Sequence, residues 1–195
     1  MKKFLLSLIS VLLICVSFTV AACAPKTDYD NKKVVKIETF YQGGEVAIDT
    51  QPTRTFNFES GTVTDELVMS EIMIEIISNP EFHDPERYFE YYNAYQDYLN
   101  GKYNHPQIVT MFSEEDGAKF LKDIKSKGVY TWKDRYENHN IDDLRSKYVE
   151  ITFSDGTVKK TEFYNDAPNN YKRIQKSFEK YLGVSMMWNG SYTEV

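Results

Sequence analysis

Residues 148–153 (YVEITF) and 157–164 (TVKKTEFY) are short runs rich in β-branched and aromatic side chains, joined by Ser154-Asp155-Gly156. Two such runs around a turn-forming tripeptide predict a β-hairpin. Pro168 then opens a stretch in which Tyr171, Ile174, Phe178, Tyr181 and Leu182 recur at helical spacing, and Gly183 closes it. A hairpin feeding an amphipathic helix has to bury one sheet face beneath that helix. The chain is therefore committed to an α+β fold, read as a single domain with an antiparallel β-sheet packed with two to four helices.

The rest of the chain extends this pattern. Residues 34–41 (VVKIETFY) read as a strand stopped by Gln42-Gly43-Gly44, and residues 45–50 and 53–59 read as further strands of a meander, with Phe56 and Phe58 on one face. Across residues 62–78, Val68, Met69, Ile72, Met73, Ile76 and Ile77 follow helical spacing, so a helix is expected there. Alternation of Glu71, Met73 and Glu75 with isoleucines keeps a strand open as the alternative. Residues 84–100 carry the plainest helix signature: Asp84 as cap, Pro85 at the first position and Gly101 beyond the end. Its stripe of Tyr88, Tyr91, Tyr92, Tyr95, Tyr98 and Leu99 is expected to pack in the core. A sugar-stacking or protein-binding face is the alternative, because tyrosine joins an apolar ring to a polar tip.

Residues 107–112 read as a strand. Ser113 caps a helix whose apolar face is Phe120, Leu121 and Ile124 and which ends at Gly128. Residues 129–132 (VYTW) are expected to be a strand, residues 136–143 a polar loop, and residues 186–192 a hairpin or extended tail around Asn189-Gly190.

Ahead of this domain stands an opening of a different kind. Lys2 and Lys3 precede an apolar run over residues 4–20, and Val20-Ala21-Ala22-Cys23 ends it. A basic start, an apolar stretch and small residues at its end make an export signal. Val20-Ala21-Ala22-Cys23 resembles the lipobox of bacterial lipoproteins. The resemblance implies a diacylglycerol on the sulfur of Cys23, cleavage before it, and a membrane-held protein on the extracytoplasmic side. On that reading residues 1–22 are removed, residues 23–33 are the lipidated cysteine and a polar tether, and residues 34–195 are the globular domain. An uncleaved anchor, ordinary cleavage after Ala22 or Ala24, and an unmodified Cys23 are the competing readings. A second resemblance runs through Trp132, Tyr136, Asp142-Asp143, Asp155-Gly156, Pro168 and Asn169 with the helix after them. This order is similar to short lipoproteins of Gram-positive bacteria that carry no assigned activity, and it implies location and fold.

Cysteine usage and charge bound the chemistry. The other cysteine, Cys15, lies within the signal, so a lipidated mature chain keeps no free thiol for a disulfide, a nucleophile or a zinc site. The formal charge is −6 and falls to −8 when Lys2 and Lys3 leave. So acidic a chain repels phosphate backbones, which argues against nucleic acid as a partner and for a domain pushed off anionic lipid and held near it by its tether.

No catalytic or cofactor motif emerges. His83, His105 and His139 lack metal-binding spacing, and neither Asp28 with Asp30 nor Asn138, Asn140 and Asp142 has the glycine and closing glutamate of a calcium loop. No catalytic, cofactor-binding or metal residue is assigned. The expected function is a non-catalytic binding or interaction module of the cell envelope, contacting an envelope protein or cell-wall component through exposed aromatics such as Tyr91, Trp132, Tyr136 and Trp188. The alternative is a small-ligand receptor or hydrolase whose site is assembled from scattered residues.

Overall fold

The structure is a computed structural model that describes residues 28–42, 53–67, 85–138 and 146–187. The chain divides between Asn31 and Lys32. Of the first unit, residues 28–31 form a turn in which the Asp28 carboxylate accepts from the Asp30 N–H at 3.0 Å and the Asn31 amide at 2.7 Å. Asp28 thus serves the local backbone, as aspartate does in such turns.

The second unit is built on a seven-stranded sheet in the order β4-β3-β2-β1-β6-β7-β5. The strands are β1 (Val34–Gln42), β2 (Thr53–Asn57), β3 (Thr62–Glu66), β4 (Gln107–Met111), β5 (Arg135–Glu137), β6 (Ser146–Phe153) and β7 (Val158–Tyr164). All neighbours pair antiparallel except β5, which runs parallel to β7. The helices are α1 (Pro85–Leu99), α2 (Glu114–Ser126) and α3 (Tyr171–Leu182). This is the α+β architecture expected from the sequence, and the hairpin of residues 148–164 and the helices after Pro85, Ser113 and Pro168 fall where local pattern places them.

Strand alternation sends one set of side chains to a single covered face. Val63, Phe56, Ile37 and Ile151 face one another across β3, β2, β1 and β6 as an apolar rung, and all are buried. Onto it come α2 and α3. Phe178 meets Phe56 edge-on at 4.8 Å between ring centroids and Phe120 at 4.5 Å, while Phe58 stacks on Phe120 at 5.7 Å. Full burial of each such ring stabilises the fold by about 1.5–3 kcal/mol, so this phenylalanine cluster outweighs any surface contact in the domain. Ser113 caps α2 as predicted, its Oγ accepting from the Asp116 N–H at 3.0 Å.

The neighbouring rung is polar. Asp65, Arg54 and Thr39 are in register on the covered face, and each is buried. Arg54 grips both Asp65 oxygens, at 2.5 and 2.7 Å, and also donates to the Ser185 carbonyl at 2.7 Å. Thr39 donates to the Met186 carbonyl at 2.6 Å. The strap after α3 therefore supplies the acceptors this rung needs, and Met186 and Met187 are buried with it.

Four expectations are corrected. Residues 136–137 of the expected polar loop 136–143 end β5, because Tyr136 and Glu137 pair in parallel with Phe163 and Tyr164 of β7. Residues 62–66 of the expected helix 62–78 form β3, because Val63 and Asp65 alternate inward between β2 and β4; residues 68–78 lie outside the described residues. Residues 129–131 of the expected strand 129–132 form a 3-10 turn, because Gly128 adopts a left-handed φ of 80° that doubles the chain back. The Thr131 and Trp132 N–H groups then bond to the Gly128 and Val129 carbonyls. The tyrosine stripe is not core: α1 lies at the β4 edge, where Leu67 and Ile108 offer a small apolar contact, and Ala94 is its buried residue. Phe89 stays 60 % exposed and Leu99 56 %, with Tyr92 and Tyr98 also exposed. The strand expected at 45–50 and the tail beyond Met187 lie outside the described residues.

Candidate binding site

Lys147 and Phe163 are cross-strand partners on β6 and β7, and Tyr41 of β1 is the partner of Lys147 on the other side. The chain leaves β7 at Tyr164, turns through Asn165, Asp166, Ala167 and Pro168, and returns in α3, whose first residue is Tyr171. Asn165 takes a left-handed φ of 56°, a conformation asparagine tolerates better than most residues. The turn brings Tyr171 back against Phe163, ring edge to ring face at 5.3 Å.

Lys147, Phe163, Asn165, Asp166, Ala167 and Tyr171 line a cavity of about 340 Å³. The Lys147 ammonium lies 4.8 Å from the Tyr41 ring centre and 5.9 Å from that of Tyr171, within the range at which ring faces attract a cation. Burial pushes the Tyr171 phenol far above its ordinary value, and the neighbouring Tyr41 adds to the shift. Tyr171 is therefore a neutral hydroxyl at any physiological pH. The Asp166 carboxylate accepts from the Ala167 N–H at 2.8 Å, which fixes the turn.

Behind this wall, Trp132 meets Phe163 edge-on at 5.5 Å and lies 6.1 Å from Tyr171, while Tyr136 stacks on Phe163 at 5.8 Å. The Trp132 indole N–H donates to the Asn170 side-chain oxygen at 2.8 Å, and the Asn170 amide donates to the Lys127 carbonyl at 2.5 Å. Asn170 occupies the N-cap of α3 yet spends its side chain on these two bonds, locking α3 to the turn after α2.

Of the aromatics expected to be exposed, Trp132 is corrected: it is 4 % exposed, since its ring fills the space between Phe163 and α3. Tyr136 is half-buried, its hydroxyl accepting from the Lys133 N–H at 3.1 Å. These two converge on Phe163. Tyr91 is elsewhere, half-buried against Leu67, Ala94 and Ile108. Trp188 and Cys23 lie outside the described residues, as do His83, His139 and Asp142-Asp143. His105 is on the surface, 3.2 Å from Glu66. Among the described residues no group of three or more His, Cys, Asp or Glu is placed to hold a metal ion. Among them, too, no helix is long and apolar enough to cross a membrane.

Lys147, Tyr41, Phe163 and Tyr171 carry no sequence motif, because strand pairing and one turn bring them together. The one local signal is Asn165-Asp166 ahead of Pro168, which marks the turn and not the site. Aromatic walls, one ammonium, one carboxylate and one amide line this cavity. No protein-family model, curated protein or solved structure matches this chain.

Proposed function

We propose that this protein is a lipoprotein held on the extracytoplasmic face of a membrane through Cys23, and that it acts as a non-catalytic binding module of the cell envelope. Two acyl chains on Cys23 hold stably where one holds only marginally, at about 0.8 kcal/mol per buried methylene. The observation that carries the binding role is the cavity walled by Phe163 and Tyr171 with Lys147 and Asp166 beside them. Aromatic faces suit an apolar side chain or a sugar ring of an envelope partner, and the charged groups orient it. A receptor for a free small ligand is the second reading, favoured by a cavity volume within the roughly 300–1,000 Å³ typical of small-molecule sites.

A photo-reactive residue in place of the exposed Ala167, introduced in the full chain in cells, tests the module. Capture of one envelope protein or wall fragment that disappears with Cys23→Ala is the expected result. Equal capture with and without the anchor would defeat it. Retention of Cys23→Ala in the membrane fraction would defeat the anchor.

A further inference from the structure

The helix pair carries more cations than acids although the chain as a whole is acidic. From Glu114 through Lys127 and along α3 stand eight cations against five acids, Glu114, Glu115, Asp116, Asp123 and Glu179, in a chain whose formal charge is −6, and Glu115 pairs with Lys119 at 2.7 Å. The two helices are packed side by side. Asp123 sits in their seam, where its carboxylate accepts from Lys127 at 2.5 Å and from Ser177 at 2.7 Å. Burial opposes its ionisation, yet these bonds and the Lys127 and Lys180 charges hold it below the ordinary carboxylate value. Its negative charge is thus spent inside the seam.

Outward, Lys122 of α2 and Lys172, Arg173 and Lys176 of α3 are exposed and have no acidic partner among the described residues. Lys172 and Arg173 occupy the first turn of α3, where the helix dipole favours acids and this helix has none. Intramolecular pairing with an acid does not account for cations there.

We infer that the outer face of α2 and α3 docks on anionic phospholipid headgroups. The face's exposed cations are mostly lysine, which binds as a point charge and does not impose the two-pronged geometry of arginine. Such a face matches a fluid surface whose anions rearrange to meet it. The inference rests on the proposed anchor for the nearness of the bilayer: ten tether residues reach at most about 36 Å. Total charge opposes this contact, but at physiological salt interactions are screened over about 8 Å, so the facing patch decides and the distant acids do not.

The test is amine-acylation footprinting of the full chain on vesicles of neutral phosphatidylcholine and on vesicles with about one-third phosphatidylglycerol, an anionic fraction that sets up the surface potential in question. Labelling of Lys122, Lys172 and Lys176 is compared with Lys160, on the opposite sheet face, and Lys102. The expected result is labelling at least about 3-fold slower on the anionic vesicles at the three helix lysines only, restored by about 0.5 M salt. In Lys172→Glu/Lys176→Glu, Lys122 loses that protection. Equal labelling on both vesicles overturns the inference. Protection by a soluble polyanion such as polyphosphate but not by vesicles also overturns it, in favour of a polymer ligand. The mass of the Cys23 peptide reports the anchor separately, and protein added to preformed vesicles still yields the labelling ratio, so the two proposals fail independently.

Discussion

Asp155 shows how one residue joins distant parts of the chain. Its carboxylate takes the Lys32 ammonium at 2.6 Å and the Thr157 N–H at 2.9 Å, and Lys32 also reaches the Thr157 hydroxyl at 2.6 Å. These bonds, Lys32 foremost, hold the Asp155 carboxyl down at about 2, from an ordinary 3.8. The fold favours the charged form, so the stabilisation is complete above the ordinary value and is lost as pH falls through about 2. Exposure and salt keep the effect small. Carboxyl titration by NMR is expected to return that value in the native protein and to move towards about 3.9 in Lys32→Met, with the Thr157 bond retaining part of the shift. An unmoved value would assign the whole effect to the turn. Ser154-Asp155-Gly156 was legible as a turn because turn chemistry is local. Its partner Lys32 was not, being 123 residues away and read as part of a tether.

Elements were legible where neighbours in sequence decide them. The α2 cap, the existence of the helix after Pro168, though it begins only at Tyr171, and the 148–164 hairpin follow from backbone sterics and period. The 3-10 turn at 129–131 and the strand at 62–66 escaped, because segments of three to five residues carry no period that distinguishes them and a tertiary partner chooses. The β2–β3 connection is set by Asn57, whose side-chain oxygen accepts the Glu59 and Ser60 N–H groups at 2.9 and 3.0 Å, and by Gly61. Gly61 has a left-handed φ of 67°, and a Cβ there would stand 2.8 Å from the Phe112 carbonyl oxygen. Gly61→Ala is expected to cost about 1–3 kcal/mol, combining the left-handed penalty with backbone displacement. Urea denaturation should show a lower midpoint at unchanged slope. Ser113→Ala, which removes the cap bond from the Asp116 N–H and the hydroxyl's bond to the Asp116 carboxylate and strains nothing, is expected to cost about 1 kcal/mol. A Gly61→Ala loss no larger than that would mean the turn relaxes freely.

At the scale of the whole molecule, Arg54 binds β2, β3 and the strap after α3 at once. Removing one member of a buried pair leaves the other charge uncompensated, so Asp65→Ala is expected to destabilise by about 3–5 kcal/mol. The double change Arg54→Met/Asp65→Leu removes both charges and is expected to cost less than the single one. A double mutant at least as unstable as Asp65→Ala would show that the strap bond to Ser185, not the ion pair, carries the stability. Sequence by itself determined the α+β class, the types of the longer elements and the total charge, since each depends on composition or on residues a few positions apart. Only the tertiary structure decided that Trp132 is buried, that Phe89 and Leu99 are exposed, that Lys147, Phe163 and Tyr171 wall one cavity, and that Lys122 of α2 and Lys172, Arg173 and Lys176 of α3 stand exposed on packed helices. Those outcomes depend on which surfaces meet, and contacts such as Arg54 to Ser185 or Thr39 to Met186, 131 and 147 residues apart, leave no local trace for a pattern to carry.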